Sequence, residues 1–320
     1  MRLLSLALLL LIAVCATPAS AQPPREVRPP PALARQLFAD VDADSEFKRN
    51  GLQSVLQGTS VERVNLNGDG VGEWLVTGTR FCGTNCQYWV YRRLPDGRFQ
   101  QVYEGGGVQI QPLPARSNGW RSLMVRAHMS CCESFFTRHE FDGRRYRWRD
   151  TEYRGDTDKP RSRLIYHLSI TNPDARGRRR LALDPMDAGG GLRISARYDV
   201  CARQGQCGAP ELVLRSARFP ARRTCVGFSA HGMDGSVHRS AGGPGWCGEP
   251  AAVAGTAERE LVLQPSLADW GRLYSVMDAD LTGPGLPGRL DSDATGALMM
   301  FVDRLNDFQR LPCFSRDGCR

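Results

Sequence analysis

The stretch "QYWVYRRLPDGRFQQVYEG", residues 87–105, decides the fold class of this chain. Two runs rich in aromatic and β-branched residues flank a Pro-Asp-Gly turn, and this combination predicts an antiparallel β-hairpin. Residues 135–153, "FFTRHEFDGRRYRWRDTEY", repeat the design around Asp142 and Gly143. A further strand-like run, "WRSLMVRAHMS" at 120–130, lies between the two hairpins. We therefore predict an antiparallel sheet of five or six strands, preceded by helical segments.

The sequence on either side of these hairpins predicts two domains. A first β-rich domain is expected over residues 32–153, starting with "PALARQLFADV", whose apolar residues recur at helical spacing. The polar stretch 154–163 predicts a linker. Short β-like runs and Gly-rich loops then predict a second β-rich domain over 164–320, ending in a helix that Asp293 can cap. The predicted fold class is mainly β (α+β): two antiparallel β-rich, disulfide-stapled domains with an N-terminal helical segment and a C-terminal helix.

The first residues of the chain predict export. Arg2 precedes an apolar run at 3–14, and Ala19-Ser20-Ala21 supplies small residues for cleavage. This pattern is typical of a secretory signal peptide over 1–21, and its apolar run is too short for a membrane span. A lipoprotein acylated at Cys15 is the alternative, which the bulky Val14 disfavours. We expect cleavage near Ala21, a Pro-rich leader over 22–31, no transmembrane span, and a periplasmic or secreted protein.

The cysteines predict disulfides. The chain has eleven cysteines, and an even number stays after loss of the signal peptide. Two links between the pairs Cys82/Cys86 and Cys131/Cys132 are natural if their strands are neighbours, although the connectivity among these four is left open. A four-thiolate zinc site is the alternative, which an oxidising compartment disfavours. Local loop closure predicts three further pairs: Cys201–Cys207, Cys225–Cys247 and Cys313–Cys319.

The basic charge does not by itself predict a nucleic-acid partner. The formal net charge is +8, and all 42 basic residues except Lys48 and Lys159 are arginine, which is typical of a GC-rich coding sequence. Arginines cluster in "RRYRWR" (144–149) and "RGRRR" (176–180). We interpret most of them as solvated side chains on strands and loops, with attraction to anionic envelope polymers or lipid headgroups as the alternative. Nucleic acid is not expected as a partner of an exported protein.

The stretch "VNLNGDGVGEW", residues 64–74, has the oxygen spacing of a calcium loop. Side-chain or carbonyl oxygens of Asn65, Asn67, Asp69, Val71 and Glu73 can turn towards one point, as hard cations require. The acidic residue that an EF-hand has at position twelve is replaced by a strand valine, and only two carboxylates are present. A structural turn, in which the Asn and Asp side chains bond their own backbone, is the favoured interpretation. We expect no other cofactor.

The order of motifs in residues 61–149 resembles a known module. "NLNGDGVGEW", "FCGTNC", "PDGRF" and "EFDGRRY" follow one another as in the integrin-type FG-GAP strand-loop-strand module of bacterial exported proteins of unknown function. The resemblance implies a fold segment and metal binding at the loop, and no activity. Asn stands where the module's loop begins with Asp, and a single copy is present, whereas a propeller needs several blades.

No motif identifies a catalytic centre. "GFSAHG" (227–232) has His231 where a nucleophile elbow around Ser229 requires glycine. His231, Asp234 and Glu249 are the candidate catalytic residues, since they lie in or beside the loop that Cys225 and Cys247 would close. Phosphate-binding and dinucleotide-binding Gly-rich signatures are absent from the sequence.

We predict a non-catalytic exported protein whose ligand is an envelope polymer, a peptide or another protein. The hairpins combine arginine with aromatic residues, which are typical of binding surfaces: Trp89, Tyr91, Tyr146 and Trp148. The alternative is a cell-envelope hydrolase with its active site in the second domain. A purely scaffolding protein is a third interpretation.

Overall fold

The structure is a computed structural model that describes residues 28–43, 45–130, 132–157, 163–186, 191–200, 208–232, 236–241, 243–273 and 276–309. The predicted signal peptide over 1–21 and most of the predicted leader lie outside this part of the chain. The prediction of a mainly β protein with antiparallel sheets, an N-terminal helical segment and a C-terminal helix is confirmed.

Three short helices precede the first strand: α1 (Pro31–Asp40), α2 (Glu46–Arg49) and α3 (Leu52–Gln57). Pro31 opens α1, where its missing N–H costs no hydrogen bond. The apolar spacing seen in the sequence puts Leu33 and Leu37 on one buried face of α1. These helices cover one side of the first sheet, where they share a hydrophobic cluster with Trp74, Trp89 and Tyr91.

The first sheet has four antiparallel strands in sequence order: β1 (Ser60–Val64), β2 (Glu73–Cys82), β3 (Cys86–Arg93) and β4 (Phe99–Gly107). The predicted 87–105 hairpin is confirmed as β3 and β4. Both faces of β3 are buried, because the helices cover one side and a second sheet covers the other. β4 is the last strand of this sheet, so it has β3 as its strand partner on one side only.

The second sheet contains ten antiparallel strands. Its order is β17-β18-β12-β11-β10-β9-β8-β7-β6-β5, and the strands are β5 (Gln109–Ser117), β6 (Trp120–His128), β7 (Ser134–Phe141), β8 (Tyr146–Gly155), β9 (Arg163–Ile170), β10 (Arg179–Pro185), β11 (Arg193–Val200), β12 (Glu211–Ser216), β17 (Ala251–Ala252) and β18 (Arg259–Leu263). β8 pairs with β9, with Thr151 opposite Leu168. The stretch 154–163, predicted as an interdomain linker, thus connects two neighbouring strands of one sheet, and the two predicted domains share that sheet.

The remaining elements pack on the later strands of the ten-stranded sheet. A third sheet has the order β15-β14-β19-β20, with β14 (Gly227–Gly232), β15 (Val237–Ala241), β19 (Val276–Thr282) and β20 (Gly288–Arg289). β13 (Thr224–Cys225) pairs with β16 (Cys247–Gly248), and a 3-10 helix spans Pro244–Trp246. The two other helices are α4 (Leu267–Arg272) and α5 (Ser292–Gln309).

The C-terminal helix α5 completes the largest hydrophobic cluster. Leu298, Phe301 and Leu305 pack from one face of α5 against the inner face of the ten-stranded sheet. The cap of α5 differs from the prediction: the Ala294 N–H donates to Asp291 Oδ1 at 2.6 Å, so Asp291 caps the helix. Asp293 lies two residues further along, inside the first turn of α5, and accepts a hydrogen bond from the Tyr153 hydroxyl.

Candidate functional site

The NGDG loop between β1 and β2 is a turn whose polar side chains bond its own backbone. Asn65 Oδ1 accepts from the Gly68 N–H (2.7 Å), and Asp69 Oδ1 accepts from the Val71 N–H (2.7 Å). The Asn67 amide donates to Asp69 Oδ2 at 2.7 Å. The two hydrogen bonds to Asp69, first that from the Val71 N–H and then that from the Asn67 amide, hold the pKa of its carboxyl below its ordinary value. The oxygens expected to face a cation therefore already have donors.

The other two oxygens of the predicted calcium set are also engaged. The Arg63 guanidinium donates to the Val71 carbonyl, so its positive charge lies beside an oxygen that was expected to bind the calcium ion. Glu73 is buried and accepts the Leu66 N–H at 2.8 Å, and its burial raises the pKa of the carboxyl. This geometry is that of a self-satisfied turn. Among the described residues, no group of three or more His, Cys, Asp or Glu side chains is arranged to hold a metal ion.

The structure brings His231 together with Asp280, a carboxylate outside the predicted catalytic set. His231 Nε2 lies 3.1 Å from Asp280 Oδ2, and the Ser229 hydroxyl donates to the same oxygen at 3.3 Å. Ser229 and His231 lie two residues apart on β14 and so share a face, opposite Asp280 on the adjacent β19. Asp234 lies outside the described residues. Glu249 is exposed, and within the described part of the chain no hydrogen bond joins it to His231.

This cluster does not have the geometry of an activated nucleophile. A serine nucleophile needs its hydroxyl bonded to the imidazole, and the imidazole in turn oriented by the carboxylate. Here the carboxylate of Asp280 lies between the two groups and contacts both. His231 and Asp280 retain 40% and 30% of their side-chain exposure, so solvent screens the pair. We therefore interpret Ser229, His231 and Asp280 as a partly exposed polar patch on the third sheet.

The cysteines of the first sheet pair differently from the expected cross-links. Cys82 and Cys86 form a disulfide with each other, because they face one another where the β2–β3 hairpin closes. Both sulfurs are thus used, which removes two thiolates from the alternative zinc site.

Cys132 does not form the link to this pair that was expected if the two strands were neighbours, a connectivity that the sequence left open. Cys132 is exposed in the turn between β6 and β7, and no disulfide joins Cys132 to any other cysteine that the structure describes. The physical reason is local: closing the short β2–β3 hairpin brings Cys82 and Cys86 together, so neither sulfur is left for Cys132. Cys131, the other member of the expected cross-links, lies outside the described residues.

In the later part of the chain, Cys225 and Cys247 form the predicted disulfide, and they face one another in the short β13–β16 ladder. The predicted pairs Cys201–Cys207 and Cys313–Cys319 fall outside the part of the chain that is described.

Three of the four aromatic residues expected at a binding surface belong to the core. Trp89, Tyr91 and Tyr146 are at most 6% exposed. They are buried because both faces of β3 are covered and because the two large sheets pack together around Tyr146. Trp148 alone reaches the surface, where the guanidinium of Arg304 lies 5.5 Å from the centre of its ring. Trp148 marks an open groove that becomes the strongest candidate site.

The groove lies where β4 and the end of α5 both approach the ten-stranded sheet. It has a volume of about 1040 Å³, and its walls come from β4, the β7–β8 hairpin, the β9–β10 connection and α5. Buried aromatic rings form its floor: Tyr103 contacts His139 edge-on at 5.0 Å and Tyr146 at 6.3 Å. We call this feature the interlayer groove, and its charged lining residues are Glu104, Glu140, Asp142, Arg145, Arg147, Arg149, Arg179, Arg304 and Asp307.

The two arginine clusters of the sequence meet in the interlayer groove. Arg149, from the first cluster, donates to Asn172 Oδ1 at 3.0 Å, and Arg179, from the second, donates to the Thr171 carbonyl at 3.2 Å. Both partners are neutral. Burial, followed by the repulsion of Arg149, lowers the pKa of Arg179. The sequence signal for this site was present as two separate clusters, but their distance along the chain hid their proximity.

His139 supplies a titratable group at the groove floor that sequence analysis passed over. Burial, followed by the nearby positive charge of Arg304, lowers the pKa of His139 from 6.5 to about 3. The imidazole is therefore neutral at physiological pH and serves as part of the aromatic floor.

Comparison with protein-family models, with curated proteins and with solved structures finds no match for this chain. The resemblance of residues 61–149 to an FG-GAP module therefore stays a prediction. Over the described ranges, no helix combines the length and apolar character that crossing a membrane requires.

Proposed function

We propose that this chain is an exported, non-catalytic binding protein that holds an extended ligand in the interlayer groove. The observation that carries the proposal is the groove itself: an open channel with an aromatic floor, bordered by partly buried arginines that lack carboxylate partners among the described residues. Aromatic and arginine side chains are the residues most enriched in protein-binding surfaces. The three ligand classes expected from the sequence are an envelope polymer, a peptide and a protein partner.

The proposed location of the protein is the periplasm or the exterior of the cell, which it reaches after cleavage near Ala21. Its support is the signal-peptide pattern together with the disulfides Cys82–Cys86 and Cys225–Cys247, which form in oxidising compartments. Calcium binding at the NGDG loop is retained only as a proposal to be tested, since the loop oxygens bond their own backbone.

The rival is a cell-envelope hydrolase using the cluster around His231. The contact between His231 and Asp280 is the observation in its favour, because such a pair can orient an imidazole. The substitution His231→Ala separates the two functions. The proposed binding protein keeps its affinity for ligand in this variant and shows no turnover of envelope polymers to lose, whereas a hydrolase loses activity by several orders of magnitude.

The binding function is tested by filling the groove. Gln101 lines the groove on β4, and Gln101→Trp introduces a large side chain there. Gln109→Trp makes the same chemical change at an exposed position of β5 outside the groove and is the matched control. Binding to an acidic peptide, an oligogalacturonate and vesicles containing an anionic lipid is measured by calorimetry for all three proteins.

The proposal predicts saturable binding of at least one probe, weakened about tenfold or more by Gln101→Trp and unchanged by Gln109→Trp. Equal affinities in both variants would move the binding site away from the groove. Absence of saturable binding by all probes would contradict the function itself.

A further inference from the structure

We propose that Arg149 and Arg179 form an anion site that holds a side-chain carboxylate of an extended acidic peptide in the interlayer groove. This inference rests on the proposed function and specifies the ligand class of the same site. It depends on three observations: the faces on which the two arginines lie, their neutral partners, and the strand edge that borders the groove.

Both arginines extend from the inner face of the ten-stranded sheet. Side chains alternate along a strand, so Arg179 lies on the same face of β10 as the buried Leu181. Arg179 thus continues a core-facing row past the end of the hydrophobic core. Arg149 is the extra residue of a β-bulge in β8, and it reaches the same groove, where it donates to Asn172 Oδ1. At that point the side chains of Arg149 and Arg179 border the interlayer groove, where both are partly buried.

The neutral partners of the two arginines leave their positive charges uncompensated. Asn172 Oδ1 and the Thr171 carbonyl each accept one hydrogen bond, which orients the guanidinium groups without neutralising them. A guanidinium has five N–H donors, so several stay available to a ligand. Two arginines held beside each other repel, and a carboxylate between them would relieve that repulsion and accept charge-assisted hydrogen bonds from both.

The acidic residues of the groove do not supply that carboxylate, because most have donors of their own. Asp142 pairs with Arg147 (2.8 Å), and Asp307 pairs with Arg304 (3.0 Å). Glu104, on the β4 side, accepts from the amides of Gln101 (3.0 Å) and Gln87 (3.3 Å). Glu140 faces Arg147 across the β7–β8 pairing. Within the described residues, Arg149 and Arg179 donate to neutral oxygens, so the proposed source of the anion is a ligand.

The border formed by β4 favours a peptide over a sugar polymer. Four consecutive residues of β4, Gln101 to Glu104, line the groove, and Val102 among them is the extra residue of a β-bulge opposite β3. Among the strands that the structure describes, none pairs with β4 on its other side, and an extended peptide can add to such an edge through backbone hydrogen bonds.

Stacking of a sugar ring would instead require an exposed aromatic face, and most rings of the groove are buried or covered, while Phe308 is partly exposed. Arg304 lies over Trp148, Phe141 stacks on Trp120 at 4.3 Å, and Tyr103 and Tyr146 are buried.

The test measures binding of acetylated, amidated hexaglutamate to the full chain by calorimetry at low ionic strength. The double variant Arg149→Gln/Arg179→Gln removes both charges of the site, and Arg180→Gln/Arg215→Gln, which removes two charges that have carboxylate partners, is the matched control. Arg180 is the next residue on β10, but it lies on the outer face and pairs with Asp199 at 2.8 Å. We expect the double variant to weaken binding by about tenfold or more and the control by less than about twofold, because only the former removes charge-assisted hydrogen bonds to the ligand.

Variants that keep the charge make the result interpretable if the double variant unfolds, which circular dichroism would show. Arg149→Lys and Arg179→Lys retain the positive charge but lose the planar, bidentate geometry, so each is expected to weaken hexaglutamate binding by several-fold. Unchanged affinity in both lysine variants would contradict hydrogen bonding of the ligand by the planar guanidinium groups, and equal losses in Arg180→Gln/Arg215→Gln and in the groove double variant would reduce the effect to net charge.

Two further probes separate this inference from the function on which it rests. Tighter binding of hexagalacturonate than of hexaglutamate, with loss in Gln101→Trp, would overturn the peptide assignment and keep the groove as a binding site. Binding of inorganic phosphate with the same arginine dependence, but no hexaglutamate binding, would overturn it in favour of a small-anion site. No binding of any probe would overturn both proposals.

Discussion

The ten-stranded sheet uses arginine in two different ways on its two faces, and the neighbours Arg179 and Arg180 show the contrast most simply. On the outer face, one arginine of each of β10, β11 and β12 pairs with a carboxylate on an adjacent strand: Arg180 with Asp199, Arg197 with Glu211 and Arg215 with Glu260. We call this row of cross-strand ion pairs the outer ladder. On the inner face, Arg149 and Arg179 donate to neutral oxygens, and no carboxylate of the described residues pairs with them.

The arginine content by itself therefore says little about partners. In the outer ladder the positive charges are compensated within the protein, so they act as strand surface and contribute little net attraction for an anion. In the interlayer groove the charges are held in position but not compensated, so they are available for a ligand. The same residue type thus has a structural role on one face and a proposed binding role on the other.

The largest expected effect comes from removing a carboxylate partner that is buried. Asp150 is 8% exposed and pairs with Arg138 across β7 and β8. Asp150→Ala would leave a partly buried guanidinium without its counter-charge, so we expect the free energy of unfolding to fall by about 3 kcal/mol. Urea denaturation measures this, with Asp199→Ala in the outer ladder as the exposed control. A loss for Asp150→Ala no larger than that for Asp199→Ala would show that burial does not distinguish the two pairs.

The next effect concerns the neutral imidazole beside the groove arginines. Because the pKa of His139 is lowered to about 3 in the folded state, the unfolded chain takes up this proton first as the pH falls below 6.5. Stability from His139 is therefore fully present above pH 6.5 and is lost as the pH falls towards 3, by at most about 1.4 kcal/mol per pH unit.

The variant His139→Gln removes this titration while keeping a side chain of similar size. Urea denaturation between pH 4 and 7 should give a shallower loss of stability in the variant than in the wild-type chain. A constant offset between the two curves would reflect only the lost contact with Tyr103, so parallel curves would contradict the lowered pKa of His139.

A smaller effect is expected in the outer ladder. Arg180→Gln and Arg215→Gln each break one exposed or half-exposed ion pair, and such pairs contribute roughly 0–1 kcal/mol. We expect each variant to lower the unfolding free energy by less than about 1 kcal/mol at low salt, and by less still at high salt because the charges are screened. Thermal or urea denaturation at two salt concentrations measures the difference. A loss that grows with salt would contradict the ionic account of the ladder.

The smallest effect is expected at the NGDG loop, where charge is again satisfied from within the protein. The Asp69 carboxylate already accepts a hydrogen bond from the Val71 N–H, just as Arg180 already has Asp199 as its partner. Melting curves with calcium and with chelator should therefore have the same midpoint, since a ligand that does not bind the folded state cannot stabilise it. A calcium-dependent rise that Asp69→Asn abolishes would instead establish a metal loop.

Features set by local chemistry could be predicted from the sequence. The Pro-Asp-Gly and Asp-Gly turns fix the β3–β4 and β7–β8 hairpins, because these residues favour tight turns whatever surrounds them. The Cys225–Cys247 pair followed from loop closure. The same reasoning applied to Cys82 and Cys86 would have found their disulfide and excluded a link from Cys132, since the two cysteines close a hairpin just as locally.

Features set by contacts between distant segments could not be predicted. Nothing near residues 154–163 reveals that β9 returns beside β8, so a loop within one sheet resembled a linker. Strand alternation alone also fails for Trp89 and Tyr91, because both faces of β3 are covered by elements far away in sequence. Arg149 and Arg179 belong to clusters that only the β8-β9-β10 order brings together, and this order is what creates the proposed site.

The most direct test of the two-face account follows the side-chain Nε–H signals of arginine by NMR during titration with hexaglutamate. Signals are assigned by substituting Arg149, Arg179, Arg180 and Arg215 with glutamine one at a time. We expect the signals of Arg149 and Arg179 to shift saturably, and the signals of Arg180 and Arg215 to stay unchanged. Uniform shifts across both faces, or stationary signals for the two groove arginines, would contradict the two-face account.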